Sequence, residues 1–365
     1  MSRLKLSSVV GNDIGIQLLL GIRRRQIYFR QQWIQASESR RVRNKKMSRQ
    51  AHLIFNPASG QGDAEADLAF IQSSLEAILD LTVYKTSPDC DANVLAAQSV
   101  KQGVDLVIVS GGDGTVNAAA EALVDSSIPL AIIPRGTANA VASAIGIPTN
   151  LEEACSVALN GRAHGIDTAL CNDSPMVLLT EIGLEAAVVE RASRDTKNRL
   201  GVLAYAAAGI RQLREMEPFE ATIETEEKVL TVQACAVTVA NMAPPTSILA
   251  QGPAEVSAED GLLDVTIVAP EGMGSALAAS YELFRSALSD EAAQRDGIGF
   301  FRSKQVKVKT EPLQKVVLDG EILGETPVTV VCRPRSLKLI LPQQEAPPAS
   351  EDLTGLPNLT VEPAD

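Results

Sequence analysis

The sequence is poor in histidine and has no cysteine pair of the kind that binds zinc. Its two histidines, His52 and His164, cannot build a site of three histidines, and a histidine-based catalytic triad would have to use one of them. Its five cysteines are an odd number without a C-x-x-C pair, which argues against a disulfide framework or a zinc ribbon. No apolar stretch reaches the length of about 18 residues that a membrane-spanning helix needs. These absences predict a soluble protein of a reducing compartment, the cytoplasm.

Length and charge define the class of protein further. A chain of 365 residues predicts two domains at about 150 residues each. Hydrophobic residues make up 45% and charged residues 21%, which excludes wholesale disorder. The first 50 residues hold 12 of the 33 basic side chains but only Asp13 and Glu38 of the 45 acidic ones, so the remainder is strongly acidic. Phosphate binding needs clustered cations, and we therefore expect no nucleic-acid partner.

The two ends of the chain read differently from its body. The basic leader, residues 1–47, is expected to be disordered or to result from a start codon placed too far upstream, because Met47 leads directly into the first strand. Its arginines could alternatively touch anionic lipid. The tail, residues 343–365, is rich in Pro, Glu and Asp and is predicted to be disordered.

The body of the chain shows two different patterns of predicted secondary structure. Strands and helices alternate over residues 48–164, beginning with His52–Phe55 and a helix capped by Asp63, which predicts an α/β domain with a parallel nucleotide-binding sheet. Residues 336–342 could complete this sheet. Residues 165–335 predict a β-rich antiparallel sandwich domain, interrupted by helices at 200–216 and 274–287. Its predicted strands are Val177–Ile182, Phe219–Thr225, Val229–Ala240, Leu263–Val268, Val306–Thr310, Lys315–Leu318, Val328–Cys332 and Leu337–Leu341.

Three loops rich in small residues follow strands of the first domain. The first, Asn56–Gly62, fails the dinucleotide fingerprint because Glu65 replaces its third glycine, and it lacks the Lys-Ser/Thr of a Walker loop. The second, Gly111–Thr115, places Asp113 between glycines at the carboxyl end of a buried strand, where a carboxylate beside phosphates would act through Mg²⁺. The alternative is a tight turn with a helix-capping Asp. With the third loop, Pro134–Asn139, they predict a nucleotide cradle at one sheet edge.

In that order and spacing, N-P-A-S-G, G-G-D-G-T and G-T-A-N resemble the diacylglycerol-kinase catalytic-domain family, above all the soluble bacterial lipid kinases and more distantly the sphingosine kinases. The resemblance runs from about Ala51 to Pro342 and includes Asn241, Asp260–Asp264 and Leu318–Glu321. G-G-D-G-T alone is shared with NAD kinases.

The resemblance implies a role for each matching residue. Asp260, with the carbonyls of Ser257 and Leu262, matches a structural Mg²⁺ site. Asp319 and Glu321 match the motif of the catalytic base, whereas Asp319-Gly320 without the family reads as a hairpin turn. The positions that match the family's ATP contacts are Asn56, Pro57, Ala58, Ser59, Gly60, Thr86, Gly111, Gly112, Asp113, Gly114, Thr115, Val116, Asn117, Gly136 and Thr137.

These expectations combine into an ATP-dependent lipid kinase that uses Mg²⁺ and phosphorylates diacylglycerol or a related lipid hydroxyl at a membrane surface, peripherally and without a spanning segment. Asp113 would be central at the phosphates, and Asp319 or Glu321 would accept the proton, both facing one side of an extended strand. The alternatives are an NAD kinase-like transfer to a soluble hydroxyl and a catalytically silent nucleotide-binding regulator. A homodimer stays open.

Overall fold

The computed structural model describes residues 49–60, 62–183, 218–244, 247, 250, 256–269 and 297–342, and the backbone of 360–363. Its helices are α1 (Ala64–Leu75), α2 (Ala92–Gln102), α3 (Asp113–Leu123), α4 (Ala140–Ala144) and α5 (Leu151–Asn160). Its strands are β1 (Gln50–Phe55), β2 (Asp80–Lys85), β3 (Leu106–Gly111), β4 (Leu130–Pro134), β5 (Arg162–Cys171), β6 (Ser174–Met176), β7 (Leu179–Gly183), β8 (Phe219–Glu224), β9 (Lys228–Ala234), β10 (Ala236–Ala240), β11 (Leu263–Val268), β12 (Ile298–Ser303), β13 (Gln305–Glu311), β14 (Lys315–Leu318), β15 (Glu321–Glu325), β16 (Val328–Leu341) and β17 (Thr360–Pro363).

Four parallel strands in the order β2-β1-β3-β4 form the predicted nucleotide-binding sheet. Every residue of β3 and of β4 is buried, as expected for parallel strands covered on both faces. Helix α1 begins where predicted, because Asp63 accepts hydrogen bonds from the backbone N–H groups of Glu65 and Ala66.

Two helix boundaries differ from the predicted ones, and one helix was not predicted. The apolar periodicity after Asp63 continues to Leu79, but α1 ends at Leu75. Beyond its end Ile78 is exposed, whereas Leu79 is buried. The sequence after Pro134 predicts a helix start at Gly136, but α4 begins at Ala140, because Asn139 takes a left-handed backbone conformation with φ 51°. Helix α5 is capped by the side chain of Asn150, a signal that the sequence offered.

The long strand β16 connects the parallel strands to antiparallel ones. Its end pairs with β4 through Leu339 and Leu130, its beginning pairs with β13, and β5 runs antiparallel along most of its length. The predicted strands Val328–Cys332 and Leu337–Leu341 are therefore a single strand. Its pairing with β5 shifts register between Arg333 and Leu337, where Pro334 cannot donate to the ladder.

A second, antiparallel sheet has the order β12-β11-β10-β7-β14-β15. The predicted strand Val229–Ala240 is two strands, since β9 belongs to the first sheet and β10 to the second, and Cys235 lies between them. Alternate apolar side chains of both sheets meet in a shared core, exemplified by Val265 and Ile267 of β11 and Val306 and Val308 of β13. The predicted fold class, a mainly parallel α/β sheet followed by an antiparallel β-rich part, is confirmed.

Several expectations concern other parts of the chain. The leader before Arg49, the predicted helices at 200–216 and 274–287 and most of the tail lie outside the described residues. Within the tail predicted to be disordered, β17 pairs antiparallel with β9. The described helices include none that is long and apolar enough to cross a membrane.

Candidate active site

The predicted small-residue loops meet at one edge of the parallel sheet. Asn56 follows β1, Thr86 follows β2, Gly112 follows β3 and Arg135 follows β4. The chain passes from β1 outward to β2 and then back across to β3, so strand order reverses between β1 and β3. Open α/β sheets bind ligands beyond the carboxyl ends of the strands at such a point.

The first and second loops are bonded to each other beside this point. The Asn56 side chain donates from Nδ2 to the Thr115 hydroxyl over 2.8 Å, and its backbone N–H donates to the Ser110 carbonyl over 2.9 Å. The Gly112 N–H donates to the Ser59 hydroxyl over 3.1 Å. Thr86 joins the same edge, because its N–H donates to the Phe55 carbonyl over 2.9 Å.

The second and third loops touch backbone to backbone. A Cβ atom added at Gly136 would lie 2.6 Å from Gly112 Cα, closer than real Cβ contacts allow. Asn139 holds the turn, since its Oδ1 accepts from the Gly136 N–H over 2.7 Å and its Nδ2 donates to the Gly136 carbonyl over 2.9 Å. The approach of the two loops thus requires glycine at position 136, and at Gly112 an added Cβ atom would be tight, 3.3 Å from Gly136 Cα.

Asp113 is the first residue of α3 and is half-buried, whereas the N-cap position belongs to Gly112. One carboxylate oxygen, Oδ1, accepts a long hydrogen bond of 3.4 Å from the Val141 N–H. Within the described residues the second oxygen accepts no hydrogen bond. One turn further along α3, the side-chain oxygen of Asn117 is buried without a partner. A negative charge at a helix N-terminus is favourable, and a carboxylate with a free oxygen suits Mg²⁺.

The remaining predicted ATP contacts fall into two groups. Pro57, Ala58, Gly60 and Thr137 are exposed on the loops and can reach a ligand. Val116 is 3% exposed and packs in the core, so only its backbone could contribute. At Gly111, an added Cβ atom would lie 2.7 Å from Thr115 Cβ, which explains this glycine by packing.

Asp319 and Glu321 do not share an extended strand, and that expectation is wrong. Asp319 and Gly320 are a two-residue turn between β14 and β15 with φ 47° and 88°, both in the left-handed region. Hydrogen bonds hold the turn in place. The Asp319 carboxylate accepts them from three successive backbone N–H groups, over 2.8 Å from Val177 and over 2.9 Å each from Leu178 and Leu179. Glu321, the first residue of β15, is exposed.

The environment of Asp319 also changes its titration. Burial raises the pKa of this carboxyl to about 6, and the three backbone N–H donors oppose the rise. Val177, Leu178 and Leu179 pack in the same core cluster as the parallel strands. The hairpin is thereby fixed against the α/β part, although no hydrogen bond or ion pair among the described residues joins Asp113 to Asp319 or Glu321.

Asp260, the predicted side-chain ligand of a structural Mg²⁺ ion, lies in the loop before β11. Asp260 Oδ2 forms an ion pair with Arg302 Nη1 over 3.0 Å, and Oδ1 accepts from the Leu262 N–H over 2.9 Å. Both oxygens are therefore engaged, and Ser257 lies nearby with its hydroxyl accepting from the Glu259 N–H. Clusters of three or more His, Cys, Asp or Glu with metal-binding geometry are also absent from the described part of the chain.

Asp167 and Arg135 are among the buried charged residues that were not singled out from the sequence. Asp167 of β5 accepts from the Gly261 N–H over 2.6 Å and from the Arg335 N–H over 2.7 Å, and so fixes the Asp260 loop to β16. An acidic residue within an otherwise apolar strand was the sequence signal that could have identified Asp167. Arg135, in the third loop, has a side chain only 3% exposed. A cation between Pro134 and Gly136 was the corresponding signal.

Comparison with known proteins identifies the family. The model of the diacylglycerol kinase catalytic domain matches residues 50–171, and that of the YegS C-terminal NAD kinase beta sandwich-like domain matches residues 179–341. A Stenotrophomonas maltophilia protein named "Probable lipid kinase YegS-like" is 30% identical over 72% of this chain and 87% of its own length. The chain belongs to the diacylglycerol-kinase family. The resemblance recognised in the three loops is confirmed.

Two further proteins resemble the chain over most of its length. An uncharacterized protein of Synechocystis sp. is 45% identical over 81% of this chain and 71% of its own length. The crystal structure of a diacylglycerol kinase from Bacillus anthracis superposes with a TM-score of 0.65 at 24% identity, covering 81% of this chain and 98% of that one. This last similarity shows the fold.

Proposed function

We propose that this chain is an ATP-dependent lipid kinase that transfers the γ-phosphate to the hydroxyl of diacylglycerol or a related lipid at a membrane surface. Family membership supports kinase chemistry, and the cradle at the β1/β3 edge supports a nucleotide. Phosphoryl transfer mainly requires positioning and neutralisation of charge. When bound, Mg²⁺ would supply that neutralisation, held by the free oxygen of Asp113.

The observation that carries the proposal is that Gly114 is a glycine without a structural reason to be one. It lies in the first turn of α3 and is exposed, and an added Cβ atom would meet no atom of the described residues within 4 Å. Its backbone does not have a positive φ, so neither strain nor packing requires glycine there. Glycine costs a helix about 1 kcal/mol relative to alanine. Close approach of a ligand to a helix N-terminus gives a physical reason for it, and phosphate is the ligand that such a terminus favours.

The positions of Asp319 and Glu321 in the hairpin suggest a different role for each of these two candidate bases. Both oxygens of Asp319 are used to hold the turn, whereas the carboxylate of Glu321 is exposed two residues later. Glu321 therefore accepts the proton of the lipid hydroxyl, and Asp319 positions the hairpin that carries it. General-base catalysis is typically worth about 10² to 10⁴ in rate.

Phosphate transfer from labelled ATP tests the function. The purified chain is offered diacylglycerol vesicles, a sphingoid base in vesicles, and NAD, each with and without a chelator of divalent cations. We expect labelled lipid, lost on chelation. Transfer to NAD alone would establish the NAD kinase-like alternative, and ATP binding without transfer to any acceptor would establish a regulatory protein.

The Glu321→Gln variant tests the assignment of the base. We expect kcat on the lipid to fall about 10² to 10⁴-fold while the Kd for ATP stays within about twofold. Glu325→Gln, an exposed change at the other end of β15, is the matched control and should leave kcat unchanged. A Glu321→Gln variant with normal kcat would place the base elsewhere.

A further inference from the structure

Arg135 is a buried cation that holds the first loop of the cradle. Its Nε forms an ion pair with Asp67 Oδ2 of α1 over 2.9 Å, and its Nη1 donates to the Asn56 carbonyl over 3.0 Å. The guanidinium also lies over the Phe55 ring, 4.4 Å from the ring centroid. One planar group thus connects the third loop, the first turn of α1 and the residue that begins the first loop.

The third nitrogen of the guanidinium, Nη2, lies under the same loop. A Cβ atom added at Gly60 would be 3.4 Å from Nη2 and 3.1 Å from the Arg135 carbonyl oxygen. Nη2 is buried and has no hydrogen-bond partner among the residues that the structure describes. An unbonded buried donor is costly, so packing alone would favour an aliphatic side chain at this position.

The held loop is the one that contacts the helix start. Asn56 accepts a hydrogen bond from Arg135 through its carbonyl and donates one from its side chain to the Thr115 hydroxyl. Ser59 of the same loop accepts a hydrogen bond from the Gly112 N–H. Arg135 therefore fixes the first loop in its place beside the start of α3, at the sheet edge where the phosphates would lie. Its charge is balanced by Asp67, so its contribution is geometric.

We propose that Arg135 is a positioning residue for the nucleotide phosphates. Together with Asp67 it forms a clamp that keeps the Asn56–Gly60 loop in its binding conformation. Arg135 does not itself touch the nucleotide, since its side chain is almost fully buried. The inference rests on the proposed function for its effect on ATP, but the effect on the loop can be measured without a ligand.

The variant Arg135→Met with Asp67→Ala removes the clamp without leaving an unpaired buried charge. Replacing a buried ion pair by apolar groups is often neutral for stability, so we expect the Tm to stay within about 5 °C of the wild type. Amide exchange at Ala58 and Ser59 should accelerate at least about tenfold. The Kd for ATP should rise about 10- to 100-fold, because small misplacements of positioning groups have effects of this size.

Two further variants keep the test decisive. Arg135→Lys retains the charge but cannot bond Asp67 and Asn56 together, and should also accelerate exchange and weaken ATP binding. Should the double variant fail to fold, Arg135→Lys replaces it. Glu65→Gln is the control. Glu65 lies on α1, as Asp67 does, and this change removes only its exposed ion pair with Lys85 of β2, so neither measurement should change.

The outcomes separate this inference from the proposed function. Unchanged exchange at Ala58 and Ser59 in a folded clamp variant would overturn it, as would an unchanged Kd for ATP. A wild-type chain that binds no ATP would end the proposed function, and exchange in the loop would then still decide whether Arg135 fixes it.

Discussion

At the scale of single residues, the three glycines of the G-G-D-G-T motif are glycines for different physical reasons. Gly111 is required by Thr115 and Gly112 lies against Gly136, whereas Gly114 has open space around its Cα. The sequence motif treats the three alike, and only the structure separates packing from ligand approach. Substitution can test this separation, because packing glycines should lose stability and a ligand glycine should not.

The Gly114→Ala variant should be at least as stable as the wild type and defective in ATP binding. Alanine improves helix propensity, so the free energy of unfolding should rise by up to about 1 kcal/mol. The added methyl group occupies the space proposed for phosphate, so the Kd for ATP should rise at least about tenfold, or by about 1.4 kcal/mol. Urea denaturation and calorimetric titration measure the two effects. Normal ATP affinity in this variant would remove the main support for the nucleotide site.

Asp319 is the second residue for which the structure assigns a physical role. Its carboxylate bonds three backbone N–H groups, which favours ionisation, but burial outweighs them and its pKa is raised to about 6. The reference value for an unfolded chain is about 3.9. The folded state therefore keeps the proton to a higher pH than the unfolded state does.

The contribution of Asp319 to stability should accordingly be complete below about pH 4 and fall by up to about 3 kcal/mol as the pH rises to about 6 and beyond. Asp319→Asn should remove this contribution from the slope and should also lower stability at pH 7 by about 1 to 3 kcal/mol, because an amide cannot accept all three N–H groups. Urea denaturation at several pH values measures both. Glu321→Gln, an exposed change in the same hairpin, is the control. An unaltered slope in Asp319→Asn would contradict the raised pKa.

The motif residues were predictable from the sequence, but their partners were not. Asn56, Asp113 and Gly136 are recognisable because each follows a strand in a pattern of small residues. Arg135 and Asp167 act through contacts with residues 68 and 94 positions away in sequence, Asp67 and Gly261. Such contacts exist only after the strands are ordered in space, and no local pattern encodes them.

At the scale of elements, the turns between strands and helices determine the site. The loops after β3 and β4 touch through Gly112 and Gly136, and the turn of the second is fixed by Asn139. Local periodicity predicted the strands well, since Leu263–Val268 and Lys315–Leu318 match β11 and β14 in both bounds. It failed at Cys235 and Pro334, where the sheet to which a strand belongs depends on distant neighbours.

The Gly136→Ala variant should disrupt this contact. The added Cβ atom would meet backbone at 2.6 Å, and backbone cannot rotate away as a flexible side chain could. We expect a loss of about 1 to 3 kcal/mol in the free energy of unfolding and loss of measurable ATP binding. The same methyl group at Gly114 meets nothing and is the control for stability. Wild-type stability in Gly136→Ala would mean that the two loops are not in contact in solution.

At the scale of the whole molecule, the two parts of the chain share one strand. Residues 50–365 form one compact unit, and β16 supplies side chains to both cores. Its Leu337 and Leu339 pack with the parallel strands, while Val328 and Val330 pack between the two sheets. The sequence predicted two domains and allowed residues 336–342 to complete the first sheet, but it did not reveal that these residues continue the strand that begins at Val328.

A shared strand predicts that the two cores unfold together. Scanning calorimetry should give one transition with equal calorimetric and van't Hoff enthalpies. Leu339→Ala in one core and Val330→Ala in the other should each cost about 2 to 4 kcal/mol. In native-state hydrogen exchange, each variant should lower the protection of the slowest amides in both β1 and β11, because global unfolding limits their exchange. Two separate transitions, or a loss of protection confined to the mutated core, would show that the parts fold independently despite β16.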